Sequence, residues 1–383
     1  MSGSQKSGVV GGNYRWVGNN TRRPDGVDKV TGRARYGDDM VLPGMLHMRM
    51  LRSPHAHAKI LSIDTSEAEA MKGVKAVVTH KDVPDHPPAK PPFGPAVSDF
   101  HDLSRNIMAR EKVLYDGHAV AAVAATTESI AKRAVRKIKV EYEILPHVLD
   151  PYEAAQAGAP ILHEHQFTLG LEPKPKEPSN LFRTLGGEQG DLERGFENSD
   201  LVIEREFSSQ PVHQGYIEPL ACVASSSEDG AVELWTSTQG HFVARTLLSR
   251  LLNLDMSKFR VTASEIGGGF GGKTTIYHEP AAILLSMKTG RPVRSVMTRG
   301  EVLRATGPTV GSVCRIKIGA KKDGTLVAAD AEIWYQAGAF KGGPVARATD
   351  SFFSPYKIPN ARTACHDVCV NRPKAAAYRA PGA

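Results

Sequence analysis

Five glycines stand within the six residues from Gly267 to Gly272, and this run constrains the fold more than any other segment. It follows a strand-like stretch at 261–264 and precedes a helix-like stretch at 280–288. Glycine lacks a Cβ atom, so the main chain here can approach a ligand closely and offer it consecutive amides. The run therefore predicts a tight strand-to-helix connection that lies against an anionic or strongly hydrogen-bond-accepting group.

The same segment, from Gly267 to Thr274, also satisfies the phosphate-binding pattern G-x-x-x-x-G-K-[ST]. A nucleotide hydrolase of this kind needs a parallel sheet and an acid at the end of a neighbouring strand, for which Asp330 is the nearest candidate. Asp330 lies in a predicted antiparallel hairpin, 315–320 with 325–334, whose Asp-Gly turn suits a tight reversal. The P-loop interpretation and a purely structural glycine turn both stay open as alternatives.

The composition describes an ordinary globular chain of more than one domain. Its 383 residues are 41% hydrophobic and 23% charged, and no stretch has the roughly 18 consecutive apolar residues of a membrane span. The first residues lack the apolar run of a signal peptide, so we expect a cytoplasmic protein. A net charge of +7 is spread along the chain, and one basic cluster predicts a solvated helix face with no nucleic-acid role: Lys132, Arg133, Arg136, Lys137 and Lys139.

Two proline-rich stretches divide the sequence, an irregular loop at 81–95 and a stiff linker around 173–178. Strand-like segments are 45–51, 73–78, 119–124, 201–207, 220–225, 232–236 and 261–264, and helix-like segments are 129–136, 243–252 and 280–288. Both halves mix strands and helices, so we predict the α+β class. The predicted parts are an extension at 1–20, a domain at 21–150, a linker at 151–180 and a domain at 181–383.

The cysteines and the paired histidines of the sequence do not predict a metal site. The four cysteines, Cys222, Cys314, Cys365 and Cys369, are too few and scattered for a disulfide framework. Cys365 and Cys369 share a face of a strand-like segment at 362–370, and we predict buried thiols there in preference to a metal site. The pairs His55/His57 and His163/His165 place alternate histidines on one face of an extended segment, a geometry that can bind metal. No third ligand is in view along the sequence, so we interpret them as structural histidines.

A set of segments in both halves follows one family pattern, in order and at sensible spacing. The segments are 22–26, 29–36, 43–46, 52–58, 140–146, 190–191, 196–202, 213, 218–219, 237–239, 267–273, 356–360 and 377–379. Together they resemble the molybdopterin-binding large subunit of the xanthine dehydrogenase and aldehyde oxidase family of molybdenum hydroxylases. Split-subunit, nicotinate dehydrogenase-like members are the most similar type.

The resemblance implies a fold and a function. The fold is an α/β hammerhead-like domain followed by a mixed α+β molybdopterin-binding domain. The function is that of the molybdenum-binding subunit of an oxidoreductase that hydroxylates an electrophilic carbon, in an N-heteroaromatic, aldehyde or related small-molecule substrate, with water as oxygen source. The implied cofactor is molybdenum-molybdopterin, with the cytosine dinucleotide as one option. Iron-sulfur clusters and FAD are expected on partner subunits.

The resemblance also assigns residues. Gln239 lies beside the molybdenum ligands, Phe270 contacts the ligand sphere through its backbone, and Arg379 belongs to the final motif, so these three form the molybdenum surroundings. The cofactor-binding residues are Gln239, Gly268, Gly269, Phe270, Gly271 and Arg379. No catalytic residue is expected in this chain, because the general-base glutamate lies in the family's downstream half.

On the substrate side, Arg347 occupies the place of a substrate-binding arginine and could hold a carbonyl or carboxylate. Thr274 replaces the glutamate of purine-oxidising relatives, and Pro381 replaces their ring-stacking phenylalanine, which puts a purine pocket in doubt. Carbon monoxide dehydrogenases of the family carry a cysteine in this neighbourhood, where this sequence has Ala380, and this difference argues against that branch. His213 and Glu218 could pair as acid and base, although the resemblance implies a supporting role.

The sequence stops within the last family motif, so we expect a split subunit completed by a second molybdopterin-binding chain, with a 2Fe-2S subunit and an FAD subunit. A non-catalytic assembly scaffold with the same fold is the remaining alternative.

Overall fold

The computed structural model describes residues 20, 22–88, 99–173 and 175–380. Nearly all of the predicted extension at 1–20, part of the 81–95 loop, and Pro381 lie outside these residues. Among the described residues, no helix is long and apolar enough to cross a membrane.

Strands make up three sheets. In chain order the strands of the described residues are β1 (Leu46–Arg52), β2 (Ala58–Asp64), β3 (Val74–Thr79), β4 (Lys112–Val113), β5 (Ala119–Ala125), β6 (Lys139–Ile144), β7 (Leu181–Gln189), β8 (Leu201–Ser209), β9 (Ala221–Ser226), β10 (Val232–Thr236), β11 (Phe259–Ala263), β12 (Val293–Val296), β13 (Ser312–Ala320), β14 (Leu326–Gly338) and β15 (Asn360–Cys369).

Short helices connect and cover the sheets. They are α1 (Gly26–Val30), α2 (Ser66–Glu69), α3 (Phe100–Ile107), α4 (Glu128–Val135), α5 (Pro151–Ala154), α6 (Leu192–Glu197), α7 (His241–Leu251), α8 (Glu279–Thr289), α9 (Arg299–Ala305) and α10 (Val345–Ser351), with 3-10 turns at Gly37–Asp39 and Met256–Lys258. Local signals mark some of their ends: the Thr127 side chain accepts from the Ile130 amide at the start of α4, and Gly290, in the left-handed conformation at φ +62°, ends α8.

The largest sheet joins strands from both halves of the chain. Its seven strands run in the order β11-β10-β9-β12-β1-β5-β3. The pairs β10–β11 and β1–β12 are parallel, and the others are antiparallel. Strand β5 is buried along its whole length, because its small Ala and Val side chains let other elements pack on both faces. Ala122 and Ala124 join the main core, which also contains residues of α7 and α8, and Ala121 and Val123 join a second core with Ala134 of α4.

Two smaller sheets complete the architecture. One is five-stranded, in the order β7-β15-β14-β13-β8, and the other is the antiparallel sheet β4-β2-β6. The predicted hairpin is confirmed as β13 and β14, paired antiparallel. Helices α6 and α10 pack against the five-stranded sheet.

Local patterns located the elements well. The strand and helix segments predicted from the sequence correspond to β1, β3, β5, β8–β11, α4, α7 and α8, with bounds that differ by at most two residues. The predicted thiols are buried, and Cys365 and Cys369 lie in β15. The basic cluster is exposed, and Lys132, Lys137 and Lys139 form ion pairs with Glu128 and Glu67. The α+β class is confirmed.

At the end of β14, Gly338 has φ +76°, and a Cβ atom there would collide with the carbonyl oxygen of Pro373. Gly324, in the β13–β14 turn, has φ +89° but open space around it. We expect Gly324→Ala to cost about 1–2 kcal/mol from backbone strain alone. Gly338→Ala should lower the free energy of unfolding by about 1–3 kcal/mol more, since the backbone at Pro373 must also shift. Urea unfolding of both variants checks this, and equal losses would contradict the close packing.

His118 provides a pH test of the fold. Its Nδ1 accepts from the Leu114 amide at 3.2 Å and its Nε2 donates to the Arg105 carbonyl at 2.8 Å, so the neutral imidazole satisfies both contacts. Complete burial lowers the pKa of His118 to about 4, and Arg52 adds to this effect. The unfolded chain binds the proton near pH 6.5, so the stability that His118 contributes should fall by about 3 kcal/mol as pH drops from 6.5 to 4, and this contribution should then level off.

Urea unfolding across this pH range measures the effect. His118→Gln has no titrating group, so its stability should be lower at neutral pH but less dependent on pH between 6.5 and 4. An unchanged pH dependence in this variant would show that other groups cause the loss.

Candidate functional site

The glycine loop leaves the edge strand β11 and turns sharply before α8. The Gly272 amide donates to the Gly269 carbonyl at 2.8 Å, and Phe270 between them has φ +50°. The Phe270 side chain is 46% exposed. A Cβ atom on Gly267 would lie 2.5 Å from the Glu218 Cβ, and one on Gly269 would lie 2.6 Å from the Gln239 Oε1. Glycine is therefore required here mainly because two other segments pack directly against the loop.

Gln239 follows β10 and has a fixed orientation. Its side-chain Oε1 accepts hydrogen bonds from the backbone amides of Gly271 at 2.9 Å and Lys273 at 3.1 Å. The backbone amide of Gln239 donates to the Lys273 carbonyl. The two donors identify Oε1 as the oxygen, so the Nε2 group is the free end of the carboxamide. Among the described residues Nε2 has no hydrogen-bond partner, and it is available to an outside acceptor.

The loop offers further donors beside Gln239. The amides of Gly268, Gly269 and Phe270 take part in no hydrogen bond among the described residues, whereas Gly267 and Gly271 use theirs. Consecutive unpaired amides in a turn with alternating backbone handedness form an anion-binding concavity. The arrangement therefore offers hydrogen-bond donors to a ligand that accepts them.

An ion pair supports the loop from below. Lys273 Nζ donates to Glu218 Oε2 at 2.7 Å, and the lysine side chain is fully buried beside the Tyr216 ring. Burial lowers the pKa of Lys273, and Glu218 partly offsets this by raising it. Glu218 Oε2 also accepts from the Gly267 amide at 2.8 Å, and its Oε1 from the Gly37 amide at 3.3 Å. One carboxylate thus holds three donors from distant parts of the sequence.

This ion pair shows that the P-loop interpretation is wrong. In a P-loop the lysine reaches the nucleotide phosphates, but Lys273 is held in the interior by Glu218. The Thr274 hydroxyl donates to the Gly271 carbonyl at 2.9 Å, so it closes the loop upon itself. Helix α8 begins only at Glu279, and the sheet is mixed.

The predicted residue Arg379 reaches the loop through its backbone. Its amide donates to the Phe270 carbonyl at 2.8 Å, with φ +24° at Arg379, while its side chain is exposed. Gln214, which is buried and which no sequence pattern selects, joins the same segment by donating to the Ala377 carbonyl at 2.7 Å. The structure therefore brings together Gln239, the loop residues 268–271 and Arg379.

The other candidate residues have different surroundings. Arg347 is exposed on α10, which packs on β15 and β7, and its carbonyl accepts from the Ser351 hydroxyl. His213 and Glu218 do not act as an acid–base pair, because His213 Nε2 bonds to the Thr306 hydroxyl at 2.9 Å while Glu218 binds Lys273. Pro381 lies outside the described residues.

Comparison with protein families places this site in a known class. A model of the molybdopterin cofactor-binding domain matches residues 174–383, which include the whole glycine-loop site. A second model, of the aldehyde oxidase and xanthine dehydrogenase a/b hammerhead domain, matches residues 31–146. The fold is thus that of a molybdopterin cofactor-binding protein. The chain belongs to the aldehyde oxidase and xanthine dehydrogenase family.

Individual relatives agree with this assignment. A probable xanthine dehydrogenase component of Bacillus subtilis is 36% identical over 94% of this chain, which spans 46% of that protein. The nicotinate dehydrogenase large molybdopterin subunit of Eubacterium barkeri is 31% identical over 97% of this chain, which spans 83% of that protein. The aldehyde oxidoreductase of Desulfovibrio gigas has a similar structure, with a TM-score of 0.81 and 29% identity over 94% of this chain and 39% of that one.

The donors of the site fit the implied cofactor. An oxo-metal group is a hydrogen-bond acceptor, and the unpaired donors at the site are the Gln239 Nε2 group and the amides of Gly268, Gly269 and Phe270. The collisions that a Cβ atom would meet on Gly269 and Gly271 show that the loop is packed tightly rather than loosely. The chemistry of these donors is therefore compatible with an oxo-metal group at the loop.

The ion pair can be tested by substitution. We expect Lys273→Met to lower the free energy of unfolding by about 3–5 kcal/mol, because Glu218 remains buried without its cation. Lys288→Met is the control. The Lys288 side chain is 45% exposed and pairs with Asp82, so its loss should change the free energy of unfolding by less than about 1 kcal/mol. Urea unfolding measures both, and similar losses would show that the buried pair has no special role.

Proposed function

We propose that this chain forms the molybdenum-facing wall of a hydroxylase that oxidises an electrophilic carbon. The observation that carries the proposal is the Gln239 carboxamide, whose oxygen is held by two loop amides so that its NH2 group remains free. When bound, the molybdenum-molybdopterin cofactor would supply the two-electron oxidation, with water as oxygen source. The family assignment supports an active enzyme over a non-catalytic scaffold.

In this proposal each residue has a defined task. Gln239 donates from Nε2 to an acceptor group of the cofactor, and Gly268, Gly269 and Phe270 donate from their amides. Gly271 allows the loop to contact the segment that carries Arg379, because a Cβ atom on Gly271 would collide with the Ala377 carbonyl. Donors fixed before the reaction stabilise developing charge better than donors that must reorient.

The substrate side is assigned from the resemblance. Arg347 would hold a carbonyl or carboxylate of the substrate, and Thr274 and Pro381 would line the pocket where purine-oxidising relatives carry a glutamate and a phenylalanine. These differences favour a substrate other than a purine, and the nicotinate dehydrogenase relative supports an N-heteroaromatic acid. Aldehydes remain a second class, which the aldehyde oxidoreductase structures support.

We further propose that the site is completed by polypeptide beyond this chain. It would comprise a second molybdopterin-binding half with the general-base glutamate, a 2Fe-2S subunit and an FAD subunit. Relatives named as subunits, and the 46% of the Bacillus protein that this chain spans, support the proposal. The exposed Phe270 and Tyr378 beside the loop are suited to contact with another protein surface. The cytosine dinucleotide is the proposed cofactor form.

The division into domains also remains a proposal. The matched regions, 31–146 and 174–383, leave a gap that overlaps most of the proposed linker at 151–180. The proposed hammerhead part at 21–150 nevertheless shares the seven-stranded sheet with the part at 181–383.

The role of Gln239 gives a direct test. In the complex purified with its co-purifying subunits, Gln239→Ala should lower kcat by about 100-fold or more while molybdenum content stays close to that of the wild type. Gln210→Ala is the control, because Gln210 is an exposed glutamine outside the site. Activity is measured as dye reduction with nicotinate and with aldehydes, and molybdenum by elemental analysis.

The outcomes separate the parts of the proposal. A wild-type complex without molybdenum would overturn the proposed function itself. Full activity in Gln239→Ala, in a complex that contains molybdenum, would overturn only the role of the carboxamide.

A further inference from the structure

A second group of ligand-type side chains lies outside the glycine-loop site. The ligand atoms of His101, Asp102 and His165 all lie within 4.8 Å of one another. His101 and Asp102 are adjacent residues near the start of α3, and both are buried. His165 comes from the loop between α5 and β7 and is exposed. The structure thus supplies the further ligands that are not apparent beside His165 in the sequence.

Asp102 is held in an orientation that suits a metal ligand. Its Oδ2 accepts from Lys341 Nζ at 2.7 Å, and its Oδ1 faces His101 Nδ1 at 3.2 Å. Lys341 also bonds to Asp99 Oδ2 at 2.7 Å, so the ammonium is anchored on both sides. Carboxylates that bind metals are commonly hydrogen-bonded through the other oxygen in this way. Asp102 Oδ1 and His101 Nδ1 share a hydrogen bond at 3.2 Å, a separation at which an ion that replaces the shared proton could bind both atoms.

His165 is placed by its neighbours. Its ring lies edge-on to the His101 ring, with centroids 4.9 Å apart and planes at 81°. The His163 ring packs against it at 5.5 Å, and the His163 Nε2 donates to the Ala339 carbonyl at 2.6 Å. His163 therefore supports His165 from the interior and is not itself one of the converging ligands. Because His165 is exposed, an ion can reach the site and water can complete its coordination.

We propose that His101, Asp102 and His165 form a zinc-binding site, with water as the fourth ligand. Two imidazole nitrogens and one carboxylate oxygen are a donor set that Zn²⁺ prefers over Mg²⁺ or Ca²⁺. Tetrahedral bonds of about 2.0–2.1 Å place ligand atoms about 3.3 Å apart, so ligand atoms that now lie up to 4.8 Å apart must approach by up to about 1.5 Å. Rotation of the exposed His165 side chain provides this movement without a change in α3.

The ion would act as a cross-link. It would join α3 to the loop that carries His165, and through Asp102 to Lys341, which lies shortly before α10. The site does not depend on the proposed molybdenum function, since it shares no residue with the glycine loop. Its test can therefore succeed or fail independently.

The test uses the full chain, stripped with a chelator and then titrated with zinc chloride. We expect about one zinc per chain by elemental analysis after desalting, and a higher Tm in the presence of zinc. Cobalt in place of zinc should give the visible absorption of a tetrahedral site. His165→Ala should weaken zinc binding by more than about 100-fold and remove the Tm shift, and it should fold because this side chain is exposed.

Two further variants make the result specific. His147→Ala removes an exposed histidine outside the group and should leave zinc binding unchanged. Asp102→Asn keeps the shape of the side chain but removes its negative charge. We expect this variant to bind zinc more weakly, whether or not the substitution also lowers the free energy of unfolding. Absence of bound zinc in the wild type, or equal zinc binding in His165→Ala and His147→Ala, would overturn the proposal.

Discussion

The buried ion pair between Glu218 and Lys273 is the contact on which the candidate site depends. The Glu218 carboxylate also accepts from the amides of Gly267 and Gly37, so it fixes the start of the glycine loop and the segment before β1 together. Burying two charges is unfavourable, and it is tolerated here because several donors converge on one acceptor. Because Glu218 holds the loop at Gly267 and Lys273, the amides between these residues are not all needed to hold the loop in place.

The glycine loop combines close packing with open hydrogen-bonding capacity. Its glycines are required by the proximity of Glu218, Gln239 and Ala377, yet three of its amides and the Gln239 NH2 group remain without partners among the described residues. Gln239 and Phe270 are exposed, so these donors lie at the surface of the loop, where a ligand can reach them. The same rigidity means that the donors need no reorganisation when charge develops nearby.

Local sequence patterns predicted most strands but only three of the ten helices of the described residues, because alternation and helical spacing report burial over longer elements and many of these helices are short. Pairing between distant strands could not be predicted in this way, as β1 with β12 shows. The P-loop pattern was misleading because spacing alone does not reveal whether Lys273 points to a ligand or to the core. The family resemblance selected Gln239 and Phe270 as candidates, whereas Gln214 is joined to Ala377 by a contact that no local signal reports.

The pairing of β1 with β12 has a consequence for synthesis on the ribosome. Leu46 pairs with Val293, so one edge of β1 lacks its partner until some 250 further residues have been made. At about 5–20 residues per second this interval lasts on the order of tens of seconds. An unpaired strand edge can pair with other chains during that time. Production of the protein should therefore depend on chaperone capacity and on translation rate more than its final stability would suggest.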